Sequence, residues 1–107
     1  MSGLKRQIEY LRKLAPDAWF LFIGPSDMST SIDGEMQTYP ILPRLVEAMK
    51  AMAEECGIAY WDLYAAMGGR GSMMKWVDAY LAGPDYVHFT PKGARHVGNI
   101  LYETLEF

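Results

Sequence analysis

The residue types best able to do chemistry lie together near the end of the chain, in Asp85-Tyr-Val-His88-Phe-Thr-Pro-Lys-Gly93. A carboxylate three positions before an imidazole can hold the ring in one tautomer and stabilise it when it takes a proton. Gly83-Pro84 opens this segment as a loop. Thr90-Pro91 is typical of a helix start, with a capping hydroxyl followed by proline at the first helical position. The pattern predicts the base and the orienting acid of a nucleophilic hydrolase, His88 and Asp85.

A nucleophile to complete this pair is not recognisable in the sequence. Ser26 follows a predicted strand, as an elbow serine would, but Gly24-Pro-Ser-Asp-Met28 lacks the second glycine of that sharp turn. We therefore interpret Ser26 as a substrate-binding residue at the carboxyl end of a strand, where α/β sheets bind ligands. Cys56, the only cysteine, has neither a positive neighbour nor a helix start beside it and is predicted to be a buried hydrophobe.

Composition sets limits on the class of protein. The 107 residues are 50% hydrophobic and 21% charged, which is typical of one globular domain. A net charge of -3 argues against a nucleic acid or an anionic membrane as partner. No apolar run is long enough to span a bilayer. The sequence shows no metal-ligand set and no nucleotide-binding motif, so we expect no metal and no cofactor.

Hydrophobic periodicity indicates an alternation of helices and strands. The first predicted elements are an amphipathic helix from Leu4 to Pro16, a buried strand at 18–23, a polar loop to about Pro40 and a helix from about Ile41 to Gly57. A buried strand at 58–62, a short helical piece at 63–67 and a helix capped by Ser72 and stopped by Gly83-Pro84 follow. The last predicted helix starts at Pro91 and buries Ala94, Val97, Ile100, Leu101 and Leu105.

This alternation predicts an α/β fold, a flavodoxin-like parallel sheet between two layers of helices. Two strands are too few to form an independent sheet. We therefore expect residues 1–107 to be part of a single domain, with a strand at 18–23 that lacks a neighbour on one side. Unpaired backbone groups on that apolar strand should recruit another copy of the chain, giving a homodimer or an aggregate.

With these residues in place, the chain resembles the C-terminal part of a GDSL-type (SGNH) esterase or acylhydrolase. That family carries a catalytic Asp and His three residues apart, just before the last helix, and Asp85, His88 and Gly93 match this block. Gly24-Pro-Ser-Asp-Met28, and Met67-Gly-Gly with Ser72-Met73 and Trp76, are similar to exported members that remove O-acetyl groups from polysaccharide or peptidoglycan. The family's Gly-Asp-Ser block and its oxyanion-hole blocks are absent from this sequence.

The resemblance implies a serine esterase that acts on small acyl esters, O-acetyl groups on carbohydrate above all, with His88 as base and Asp85 as orienter. It also implies that Gly69 borders the acyl or sugar pocket and that Trp76 or Tyr86 offers a stacking face. The glycine-rich loop Gly68-Gly-Arg-Gly71 is equally typical of a simple turn, and Trp76 and Tyr86 could equally belong to the hydrophobic core. Without its nucleophile the chain alone is expected to be inactive. The alternative is a non-catalytic module that binds a glycan or a partner through the Trp76 and Tyr86 region.

Overall fold

The computed structural model describes residues 2–105 and confirms the α/β class. Its elements are α1 (Ser2–Leu14), β1 (Leu21–Ile23), β2 (Ser29–Ile32), β3 (Glu35–Thr38), α2 (Leu42–Cys56), β4 (Ala59–Trp61), α3 (Leu63–Met67), α4 (Ser72–Asp78) and α5 (Pro91–Leu105). No helix in this part of the chain is long and apolar enough to cross a membrane.

The two predicted buried strands pair with each other in parallel. Leu21 lies opposite Ala59 and Ile23 opposite Trp61, and the rings of Phe22 and Tyr60 stack with centroids 5.7 Å apart. Within residues 2–105, β1 pairs with β4 alone, so its other edge has no neighbour there. Leu21 and Ile23 are exposed, as is the preceding Trp19, at 99%. An apolar strand is therefore left uncovered on one face, contrary to the burial that its composition predicts.

A β-hairpin replaces part of the predicted polar loop. β2 and β3 pair antiparallel, with Ser29 opposite Thr38, and Asp33-Gly34 connects them with φ of 53° and 83°. A two-residue turn with both φ positive matches the right-handed twist of the strands, and Asp-Gly is among its preferred sequences. The prediction of an irregular loop over this stretch was therefore wrong, although the turn signal is present in the sequence.

The sequence predicts the end of α2 correctly but not the end of α4. Gly57 ends α2 with φ of 67° and donates its N–H to the last turn, as predicted. Helix α4 is shorter than predicted, because it stops at Asp78 and not before Gly83. Tyr80 takes a positive φ of 60°, and the N–H groups of the next two residues both donate to the carbonyl of Trp76. Ser72 is also the first residue of α4 rather than its cap, which is Gly71.

One hydrophobic core cluster lies around α3, α4 and the start of α5. Its buried members are Trp61, Leu63, Met67, Met73, Trp76 and Ala82. Val97, Ile100 and Leu101 of α5 pack against it but stay half-buried, while Ala94 and Leu105, also predicted to be buried, are exposed. Only Gly93 is fully buried on this helix, so α5 contacts the core most closely at its first turn.

Candidate active site

Asp85 and His88 form a hydrogen-bonded pair on the loop before α5. The distance from His88 Nδ1 to Asp85 Oδ2 is 2.6 Å, and the two side chains are 82% and 50% exposed. Among residues 2–105, Asp85 is the only hydrogen-bond partner of the His88 ring. With Nδ1 held by a carboxylate, Nε2 is the nitrogen that can exchange a proton with a substrate or a nucleophile.

Local backbone geometry builds this pair. Asp85 Oδ1 accepts hydrogen bonds from the backbone N–H groups of Val87, at 2.9 Å, and His88, at 3.0 Å. Tyr86, between the two members, takes a left-handed φ of 60°. The backbone N–H of His88, its ring and then the N–H of Val87 lower the pKa of Asp85 from 3.8 to about 2. Asp85 is therefore a carboxylate at neutral pH, as the orienter of a general base must be.

The two ends of the loop are held to the chain segment before it. The N–H of Gly83 donates to the carbonyl of His88 at 2.8 Å, and that of Thr90 to the carbonyl of Leu81 at 3.0 Å. Thr90 Oγ1 donates to the Tyr80 carbonyl at 2.7 Å and accepts from Gly93 N–H at 3.1 Å. The predicted cap is thus confirmed, and it also fixes α5 to the segment around Tyr80.

Gly93 allows this close approach. A Cβ built on Gly93 would lie 1.7 Å from the carbonyl oxygen of Leu81 and 2.7 Å from its carbonyl carbon. Both are backbone atoms, so a rotamer change cannot relieve the overlap. The glycine five residues after the histidine is therefore needed for the contact between helix and loop, a requirement that the chemistry of the pair alone does not reveal.

Comparisons with known proteins place this geometry in context. No protein-family model and no curated protein sequence matches the chain. A solved structure of a peptidoglycan O-acetylesterase superposes with a TM-score of 0.84 and 27% identity, over 95% of this chain and 29% of that one. The chain has a partial SGNH hydrolase fold. The resemblance to GDSL/SGNH hydrolases expected from Asp85, His88 and Gly93 is confirmed at this level.

A second solved structure shares the fold. It is the esterase domain of the ORF1 protein from the zebrafish ZfL2-1 retrotransposon, with a TM-score of 0.65 and 18% identity, over 98% of this chain and 56% of that one. The chain thus spans 29% and 56% of the lengths of the two structures that it resembles. Both are esterases, so the likeness supports an acyl-esterase type of fold.

In this SGNH-type fold, Ser26 lies in the loop after β1, as predicted, and is half-buried. In the part of the chain that the structure describes, no hydrogen bond joins it to His88. Gly69 is half-buried in the turn before α4, with φ of 79°, and its N–H donates to the carbonyl of Tyr64 at 2.9 Å. The structure therefore brings Asp85 and His88 together but does not connect Ser26 or Gly69 to them.

The two predicted aromatic residues have different surroundings. Trp76 is only 7% exposed, and its Nε1–H donates to the carbonyl of Met67 at 3.1 Å. Its ring packs against Phe89 and, edge-on, against His96. Trp76 therefore belongs to the core and does not present a face on which a sugar could stack. Tyr86 is half-buried beside Asp85, so it is the one of the two that retains surface near the pair.

One residue of this region was missed by the sequence analysis. Asp27 is completely buried, and its carboxyl group accepts hydrogen bonds from Thr38 Oγ1 and from the backbone N–H of Met73, both at 2.8 Å. The backbone N–H of Met73, in the first turn of α4, is thus bound by the protein's own side chain. In the sequence, Gly24-Pro-Ser-Asp-Met28 is typical of a surface turn, and no local signal marks the aspartate as buried.

Residues 2–105 include no group of three or more His, Cys, Asp or Glu side chains that could hold a metal ion. A cavity of about 340 Å³ is lined by residues at the amino ends of β1 and β4, Phe20, Ile58 and Ala59 among them, and by none of the predicted site residues.

Proposed function

We propose that this chain carries the acid–base part of a serine ester hydrolase that removes small acyl groups, O-acetyl groups on carbohydrate or peptidoglycan above all. The observation that supports it is the Asp85–His88 pair, with 2.6 Å between Oδ2 and Nδ1, on a loop that leads into α5. The likeness to a peptidoglycan O-acetylesterase at 27% identity supports the acyl group and the substrate class.

In the proposed reaction, His88 Nε2 takes the proton of a serine hydroxyl while that oxygen attacks the ester carbonyl carbon. The imidazolium then gives the proton to the departing alcohol oxygen as the tetrahedral intermediate collapses to an acyl-enzyme. A water molecule, deprotonated by the same nitrogen, then attacks the acyl carbon. The bond to the serine oxygen breaks, the acid is released, and Nε2 returns its proton to the serine oxygen. Asp85 keeps its bond to Nδ1–H throughout and stabilises the charged ring.

We further propose that the serine and the oxyanion-hole donors come from polypeptide outside residues 1–107. Ser26 is not the nucleophile in this proposal, because its segment lacks the second glycine of the sharp turn that exposes an elbow serine. Ser26, Gly69 and Tyr86 remain proposed substrate contacts at the rim of the site. Removal of a triad serine costs orders of magnitude in rate, and the activity that remains elsewhere comes largely from the oxyanion hole. The 107-residue chain alone should therefore be inactive.

The test compares acetate release from an O-acetylated glycan by the 107-residue chain and by a protein that extends its reading frame upstream. Only the extended protein should hydrolyse the ester, and His88→Ala should abolish that activity. His96→Ala is the matched control, because it removes the chain's other histidine outside the proposed machinery. Hydrolysis by the short chain that depends on His88 would refute the missing-nucleophile proposal. Glycan binding that survives His88→Ala, with no hydrolysis by either protein, would favour the binding module instead.

A further inference from the structure

The buried carboxyl group of Asp27 joins three separate segments of the chain. Oδ1 accepts the Thr38 hydroxyl at the end of β3, and Oδ2 accepts the Met73 N–H in the first turn of α4. Asp27 itself follows β1. Among residues 2–105 no lysine or arginine forms an ion pair with it, so polar contacts alone offset its burial.

The connection is reinforced through Thr38. Its Oγ1 donates to Asp27 and also accepts the N–H of Gly71 at 2.8 Å, so the hydroxyl bridges the carboxyl group and the turn before α4. Thr38 is buried as well. Buried polar networks of this kind fix one arrangement of their segments, because breaking one bond leaves a group without water or partner. The hairpin is therefore held against the start of α4.

The same hairpin contacts the candidate site. Two residues after Asp27, the N–H of Ser29 donates to the carbonyl of Tyr86 at 3.1 Å. Ser29 is only 3% exposed, so water cannot readily replace that bond. Tyr86 has the left-handed φ of 60°, a conformation that a non-glycine residue keeps only when its surroundings hold it. The Ser29 bond is thus a tertiary contact on the strained residue between Asp85 and His88.

We propose that Asp27 is a positioning residue for the Asp85–His88 pair, acting through the hairpin and the Ser29–Tyr86 hydrogen bond. It touches neither substrate nor reacting atoms. Its fixed place next to Thr38 and Met73 sets the position of Ser29, which in turn holds the Tyr86 turn. That turn directs the Val87 and His88 N–H groups to Oδ1 of Asp85 and places Oδ2 of Asp85 beside the imidazole. The functional importance of this positioning rests on the proposed esterase function, but the geometry does not.

The test uses Asp27→Asn, which keeps the shape of the side chain but leaves one oxygen to accept two donors. The measurement is NMR of the 107-residue chain, following the titration of the Asp85 carboxyl carbon and the tautomer of the His88 ring. We expect the Asp85 midpoint to rise from about 2 towards its ordinary value of 3.8. We also expect the population of the tautomer with a proton on Nδ1 to fall. Asp33→Asn, in the exposed turn of the same hairpin, is the matched control and should change neither.

A folded Asp27→Asn variant with an unchanged Asp85 midpoint and an unchanged His88 tautomer would overturn the proposal. If Asp27→Asn does not fold, Thr38→Val decides, because it removes only the hydroxyl bridge. Like Asp27→Asn, Thr38→Val should raise the Asp85 midpoint and lower the population of the Nδ1-protonated tautomer. Thr38→Ser should restore both to their wild-type values. A response of both signals without ester hydrolysis by the extended protein would retain the positioning role and refute the esterase. If the extended protein hydrolyses the ester but neither signal changes in the variants, the esterase function stands and the positioning role is refuted.

Discussion

Replacing Gly93 by alanine should separate the first turn of α5 from the Leu81 segment and so disturb the loop that carries His88. The added Cβ would lie 1.7 Å from the Leu81 carbonyl oxygen, less than half of the ~3.5 Å at which non-bonded heavy atoms rest. The backbone on one side must therefore move by more than about 1 Å. Two hydrogen bonds cross this contact, from Thr90 N–H to Leu81 and from Thr90 Oγ1 to Tyr80.

The expected loss of stability follows from these contacts. Overpacking against a closely packed neighbour costs about 1–3 kcal/mol, and each weakened hydrogen bond about 1 kcal/mol. Alanine recovers at most about 1 kcal/mol through its higher helix propensity. The free energy of unfolding should therefore fall by about 2–4 kcal/mol, a large part of the ~5–15 kcal/mol typical of a domain. At about 4–8 °C per kcal/mol, the melting temperature should drop by about 8–32 °C.

Urea unfolding followed by tryptophan fluorescence measures this loss, and Gly98→Ala is the matched control. Gly98 lies in the same helix, and an added Cβ there meets no atom within 4 Å. That substitution should raise stability by about 0.5–1 kcal/mol, since helix propensity is the only term that changes. A Gly93→Ala variant as stable as the wild type, or one that gains as much as Gly98→Ala, would refute the contact between Gly93 and Leu81.

Asp85, Gly34 and the edge of β1 allow three further tests. The pKa of Asp85 is lowered from 3.8 to about 2 in the folded chain. The stability that this carboxylate contributes is therefore complete above pH 3.8, the pKa of the unfolded chain, and is lost as the pH falls through the folded-state pKa of about 2. Urea midpoints between pH 4 and pH 2 should fall less steeply in Asp85→Asn. Gly34→Ala should cost about 1–2 kcal/mol in the same assay, because φ is 83° and no atom lies within 4 Å of the added Cβ, and Gly34→Asn should recover part of that loss. The edge of β1 that has no partner strand within residues 2–105 should make the chain sediment as a dimer or a larger species, and Ile23→Lys should shift it towards monomer.

The Asp85–His88 pair could be predicted from the sequence because its contacts are local. Asp85 bonds to groups two and three residues away, and Thr90 caps the helix that starts directly after it. Such contacts leave a pattern of residue types at fixed spacing. The parallel pairing of β1 with β4 could also be predicted, because short apolar runs between amphipathic helices favour it.

The parts that could not be predicted depend on contacts between distant residues. Asp27 bonds to residues 11 and 46 positions away, and nothing near it in the chain distinguishes it from an aspartate of an exposed turn. The early end of α4 depends on Tyr80 in a left-handed conformation, where glycine would have been the recognisable signal. The hairpin at Asp33-Gly34 is different, since its turn signal is present and the polar strands around it concealed the pairing.

Hydrogen bonds from two short segments of the chain hold the pair. Asp85, His88 and Tyr86 are held by bonds within the segment from Tyr80 to Gly93 and by the one bond from Ser29. None of these bonds involves β1. Within residues 2–105 the outer edge of β1 has no partner strand, and the proposed further polypeptide would extend the sheet there. Under the proposed function, no bond from that edge is needed to bring His88 and Asp85 together. A chain or segment that supplied the serine would have to reach Nε2 of His88, so the geometry of the Asp85 loop would restrict where that serine can lie.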